Sequence, residues 1–115
     1  MDKERRDSTR YRIPINDLTI KLLEDNDTIV LNMSQFGMLV SSPVRYKLNT
    51  ELMIDFLLPN EKKPEPIACK SLVRWSEEAG NYFLLGIFFT KIEELHQKRI
   101  NKYLKTLDPV EQPGI

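Results

Sequence analysis

Two groups of residues in this chain are of the types that grip a planar, phosphorylated ligand. The first is Arg5-Arg6-Asp7-Ser8-Thr9-Arg10, with Arg12 two residues on, so four of seven arginines fall within eight positions. A guanidinium is a flat fork of donors that meets phosphate oxygens, or the O6/N7 edge of guanine, with two parallel bonds. A lysine neutralises charge but cannot read that edge. The second group is Asn32-Met33-Ser34-Gln35-Phe36-Gly37. Asn32 and Ser34 are two apart, so in an extended segment they share a face. The Asn amide both donates and accepts, and the Ser hydroxyl does either. Gly37 admits a positive φ and the close approach of another backbone or a flat ligand. Taken singly, each group also has an ordinary reading: a solvated charged terminus, and a strand-to-strand turn.

Nothing else in the chain assembles into a catalytic set. Glu77/Glu78 and Glu93/Glu94 are adjacent carboxylates, and neighbours in sequence do not face each other for general acid/base work. Ser8 has no base, and His96 sits near a helical apolar stripe with no relay pattern around it. Cys69 alternates with Ile67 and Val73 and reads as a small core residue. Trp75, after Arg74, reads first as a buried aromatic and second as a ring at a sheet rim able to stack a base.

The elements that must carry these residues are mostly strands. Leu18, Ile20 and Leu22 alternate with polar neighbours at the period of a half-buried strand. Glu24–Asp27 reads as a turn, and Thr28–Leu31 and Met38–Val40 as extended runs on either side of a polar interruption at 32–37. Leu52, Ile54, Phe56 and Leu58 take one face of the next strand. The segment Pro59–Pro66, with three prolines, is a loop. Ile67–Trp75 and Tyr82–Phe89 read as an antiparallel hairpin turning near Glu77–Asn81. At Thr90 the period changes: Thr90 and Glu93 have capping-box spacing, and Ile92, Leu95, Ile100, Tyr103, Leu104 and Leu107 recur as a helical stripe that Asp108-Pro109 ends. The class is mostly β with one terminal helix, and so short a chain tends to close its sheet, because open edges are liabilities.

The order Arg-x-x-x-Arg (Arg6, Arg10) followed by Asn-x-Ser-x-x-Gly (Asn32, Ser34, Gly37) resembles the PilZ domain, the bacterial receptor for cyclic di-GMP. The arginine spacing alone arises by chance in about one such sequence in three, the second motif in about two in a hundred. Ser71-Leu72-Val73-Arg74-Trp75 and Leu85-Gly86-Ile87-Phe88-Phe89 are also similar to late strands of the family, so the likeness covers most of residues 5–105. It implies a six-stranded antiparallel PilZ-type β-barrel with a C-terminal α-helix: residues 1–11 a flexible arm, 12–107 barrel and helix, 108–115 a tail. It further implies cyclic di-GMP as ligand, with Arg6 and Arg10 on guanine edges and phosphates, Asn32 and Ser34 bonding from the barrel surface, and Gly37 shaping the turn. Arg5 would stack or take a further phosphate, which favours two ligand molecules per chain. Asn32 stands where Asp is more usual in the family.

Several arginines are needed for physical reasons. Ordering Lys3–Arg10 costs about 1 kcal/mol per residue, whereas one bidentate arginine contact contributes about 1–3 kcal/mol. The arm is therefore expected to be mobile alone and to fold over the barrel with ligand.

Composition narrows the functional classes. The 115 residues are 41% hydrophobic and 30% charged, suited to one globular domain. Seventeen basic residues balance seventeen acidic ones, which argues against a polyanion-binding surface. One Cys and one His exclude an internal disulfide framework and a Cys/His zinc site. The longest apolar run, Tyr82–Phe89, is too short to cross a bilayer as a helix, and the charged start lacks the apolar segment of a secretory signal. The expectation is a cytoplasmic receptor, not an enzyme and without a cofactor. It would bind cyclic di-GMP and pass the signal to a partner protein in motility, biofilm or surface-polysaccharide control. The competing readings are a PilZ-like protein-interaction adaptor that binds no nucleotide, and a small barrel for single-stranded nucleic acid.

Overall fold

A computed structural model describes residues 9–15, 17–22 and 25–110. Seven strands, all paired antiparallel, precede one helix among these residues: β1 (Tyr11–Arg12), β2 (Thr19–Leu22), β3 (Asp25–Ser34), β4 (Gly37–Ser42), β5 (Glu51–Phe56), β6 (Ile67–Ala79), β7 (Tyr82–Lys91) and α1 (Glu94–Leu104). Pairing runs from β2 through β3, β4, β7, β6 and β5, and returns to β2 through one registered pair, Lys21 opposite Asp55. The expected six-stranded wall is thus present but stitched by a seam one pair wide. A cavity of about 480 Å³ opens along it between Asp17, Thr19, Asp55 and Leu57. The seventh strand is the two-residue β1, which lies beside Asn32 and Met33 of β3.

Period-2 burial fills the interior. Leu52, Ile54 and Phe56 point inward from β5, and Ile67, Cys69 and Val73 from β6. Val30 and Met33 enter from β3, Met38 and Val40 from β4, and Leu85, Ile87 and Phe89 from β7. Helix α1 adds Ile100, Tyr103 and Leu104 to the same cluster. It is pinned at two points. Gln97 Nε2 donates to the carbonyl of Gln35 at 3.1 Å. Arg99 forks onto the Glu61 carboxylate at 2.8 and 2.6 Å and donates to the Glu65 carbonyl at 2.6 Å. No helix among the described residues is long and apolar enough to cross a membrane.

Several expectations shift. Backbone pairing with Leu22 draws Asp25 into β3, so residues 25–27 of the turn read at Glu24–Asp27 are strand, and Glu24 lies outside the described residues. The polar stretch 32–37 is strand too, apart from a two-residue turn at Gln35-Phe36. β7 runs through Thr90 to Lys91, which pairs with Lys70 of β6, so Thr90 does not cap the helix. Glu93 takes the N-cap position in extended conformation with no side-chain cap bond. Leu95, assigned to the apolar stripe, is 66% exposed. The hairpin turn lies at Gly80-Asn81, with Gly80 at φ +69°. At the other end the segment after the helix is tied down where a tail was expected. Arg12 N donates to Asp108 O at 3.1 Å and Val110 N to Arg10 O at 2.8 Å, so Tyr11, read as the last residue of the arm, is held between β3 and residues 108–110.

Candidate functional site

The β3–β4 hairpin builds the floor of the site. Met33 turns fully into the core, which places Asn32 and Ser34 on the opposite side of β3. Asn32 is half-buried, but Ser34 is 2% exposed. The Ser34 hydroxyl accepts from the Phe36 amide at 3.1 Å, and the Phe36 carbonyl accepts from Phe89 N at 2.8 Å. Ser34 therefore orders the turn that joins the hairpin to β7. Of the two roles read for Gly37, a positive φ and the close approach of another backbone, it fills the second, since Gly80 is the described glycine with positive φ. Gly37 sits in β4 opposite Phe88, and a Cβ there would fall inside the Ile87 carbonyl oxygen and 3.2 Å from Phe88 Cα. It is glycine because β7 passes too close for any side chain.

Arg10 reaches this floor from the N-terminal segment. Its Nη1 donates to Asn32 Oδ1 at 3.0 Å, so one member of the arginine motif meets the second motif directly. Burial pushes the Arg10 guanidinium below its usual value, although a guanidinium in a protein keeps its proton. Its partner is a neutral amide, and Arg10 makes no ion pair among the described residues. A partly desolvated cation, with further donors beyond the one aimed at Asn32, is a site for an anionic oxygen. Arg5 and Arg6 lie outside the described residues. Arg12, registered with Asn32, is exposed.

From Asn32 the outer surface continues across the sheet. Asn32 is registered with Leu39, Leu39 with Gly86, and Gly86 with Trp75. Three strand spacings separate the ends of this row, about 14 Å. Trp75 is 44% exposed, which corrects the reading of it as a buried aromatic. Its side chain lies across the bare backbone of Gly86, with Cβ 3.2 Å and Cε3 3.7 Å from where a Cβ of residue 86 would be. The next row holds Ser34, Gly37, Phe88 and Leu72. Phe88 is exposed, and the Arg74 guanidinium carbon lies 5.5 Å from its ring centroid. The cause of Trp75's exposure is a register shift between Val73 and Trp75, which turns Arg74 and Trp75 outward in succession. Strict alternation hides such a shift, and the unbroken apolar run Leu84–Phe89 hides the outward face of β7. Phe88, Gly86 and Arg74 were missed for that reason.

Geometrically, then, the surface offers a half-buried cation beside an amide at one end, Leu39 in the middle, and at the other end an indole resting on Gly86. Among solved structures, the fold is similar to that of the Bacillus subtilis inhibitor of motility, MotI/DgrA, with a TM-score of 0.71 and 18% identity. The match covers 86% of this chain and 49% of that one, so the chain spans about half of MotI/DgrA. No curated protein matches significantly. The PilZ domain model matches residues 4–106, almost the whole length, and the chain belongs to the PilZ domain family.

Proposed function

We propose that this chain is a cyclic di-GMP receptor that acts by binding and signals through a partner protein. The observation that carries this reading is the Arg10–Asn32 contact at 3.0 Å. It brings the two motifs together while leaving the guanidinium charge facing an amide. A phosphodiester of the ligand would take the remaining Arg10 donors, and a guanine edge would use the Asn32 amide, which can donate and accept. Arg6 and Arg5 would close over the ligand from the N-terminal side. Trp75 offers an exposed ring for a second base about 14 Å from Asn32, a span that suits two ligand molecules better than one. Ser34 acts through the turn it holds. MotI/DgrA is an inhibitor of motility, which favours motility control as the output, and the cytoplasm is where such a messenger would be met.

Calorimetric titration with cyclic di-GMP tests this on the wild type and on the Arg6→Ala, Arg10→Ala double variant. The expected result is saturable binding and a ligand-raised melting temperature in the wild type, both lost in the variant. Absence of heat in the wild type would refute the receptor reading and leave a protein-binding adaptor. Tight oligonucleotide binding with a steep salt slope would point instead to a nucleic-acid barrel.

A further inference from the structure

On the β5 side of β6, beyond Trp75, a cavity of about 630 Å³ is lined by Arg45, Lys47, Leu48, Arg74 and Trp75, with Tyr46 and Ser76 completing its wall. Three cationic residues line the cavity and no carboxylate does; the Arg74 guanidinium also lies over the Phe88 ring. None of the three makes an ion pair among the described residues. That is unusual in a chain whose charges balance overall. Two exposed apolar groups share the lining, Leu48 at 58% and Trp75 at 44%.

The loop that presents Arg45 and Lys47 is rigidly built. Ser42 Oγ accepts from Val44 N at 3.0 Å and donates to Val44 O at 2.8 Å. Asn49, held at φ +69°, donates its amide to Val73 O at 2.7 Å. The Thr50 hydroxyl donates to Lys47 O at 2.6 Å. Little ordering cost remains to be met when something binds, which is the condition for a small surface to hold a partner.

We propose that this cavity docks an acidic segment of a partner protein. Its Asp or Glu side chains would meet Arg45, Lys47 and Arg74, and an apolar side chain would lie between Trp75 and Leu48. Tryptophan and arginine together are the residues on which interfaces most often depend. A polyanionic nucleic acid fits less well, because Glu77 and Glu78 are exposed farther along β6 and interrupt any basic track. The docking site does not depend on the Asn32 surface taking nucleotide, although Trp75 borders both.

Trp75 is the single tryptophan of the chain, so its fluorescence reads this cavity directly. The full chain is titrated with a short synthetic peptide alternating Glu and Leu, with its Lys–Leu counterpart, and with oligothymidylate. The expected result is a saturable change with the Glu–Leu peptide alone, weakening as salt rises. In the Arg45→Glu, Lys47→Glu variant its affinity falls about tenfold or more. Both substituted positions are exposed, and an unchanged melting temperature confirms that the variant is folded. The proposal is overturned if the Glu–Leu peptide gives no saturable change, if it binds the variant equally well, or if oligothymidylate binds more tightly. It is also overturned if the variant loses cyclic di-GMP affinity that the wild type has, which would assign the cavity to the nucleotide surface. Failure of the wild type to bind cyclic di-GMP, with peptide binding intact, would sink the receptor reading alone.

Discussion

Replacing Gly37 with Ala tests the claim that close strand approach, and not turn geometry, fixes this motif glycine. The added methyl would overlap the Ile87 carbonyl oxygen, with the Ile87 carbonyl carbon at 3.1 Å and Phe88 Cα at 3.2 Å. All three atoms are backbone of a strand held on both sides, paired with β4 over six residues and with β6 along nearly its whole length. No side chain can swing aside, so β4 and β7 must part. Overpacking of this kind costs about 1–3 kcal/mol. Stretching one or two ladder bonds nearby, such as Phe89 N to Phe36 O, adds about 1 kcal/mol each. The sum, about 2–5 kcal/mol, is a large part of the ~5–15 kcal/mol that holds a domain. For a chain of this length it corresponds to a fall in melting temperature of roughly 10–20 °C. Gly80→Ala is the control: a Cβ there meets nothing within 4 Å, but φ is +69°, so the cost is the left-handed strain of about 1–2 kcal/mol. Thermal denaturation followed by circular dichroism should rank wild type above Gly80→Ala and Gly80→Ala above Gly37→Ala. A Gly37→Ala protein that melts with the wild type, or above Gly80→Ala, refutes the steric argument.

Two further outcomes follow from the ionisable groups. The hydrogen bond from Arg99 holds the Glu61 carboxyl below its usual value. The pair therefore stabilises the fold above the ordinary carboxylate value, and that contribution is lost as pH falls through the lowered one. Denaturant unfolding of wild type and Glu61→Gln should differ by about 1 kcal/mol at neutral pH, partly screened by solvent, and converge in acid; a gap that widens in acid contradicts the pairing. The Cys69 thiol, 3% exposed, is pushed up to about 12 by burial, with Asp55 adding to it. A colourimetric thiol reagent at mildly alkaline pH should label it only after denaturation, and rapid labelling of the native chain would show that β6 opens.

The sequence makes some features legible and hides others for identifiable reasons. Leu52, Ile54 and Phe56 alternate cleanly and point inward as read, because Glu51 and Asp55 mark the opposite face of β5 as the solvent side, Met53 notwithstanding. Cys69 falls where its alternation with Ile67 and Val73 places it. The motif spacing brings Arg10 to Asn32, but it cannot distinguish a residue that faces a ligand from one that shapes the hairpin, which is the part Ser34 and Gly37 play. The misassigned helix start has a similar origin. Thr90 and Glu93 satisfy a local rule, yet the pairing of Lys91 with Lys70 carries β7 past Thr90, and tertiary pairing prevails over a local cap. Trp75 was misread because the register shift before it breaks the alternation on which the inference relied. The pairing of residues 10–12 with 108–110 has no local signal at all, since it joins segments from opposite ends of the chain.

That pairing has a mechanical consequence. Antiparallel bonds link Arg10 to Val110 and Arg12 to Asp108, while the same short strand is held on its other edge by Met33 and Asn32. Tension applied along the leader at Arg10 is therefore resisted in shear by bonds on both edges at once, instead of peeling one edge bond by bond. The two extremities are harnessed together, so a tether that immobilises residues 108–110 also steadies the guanidinium at Arg10.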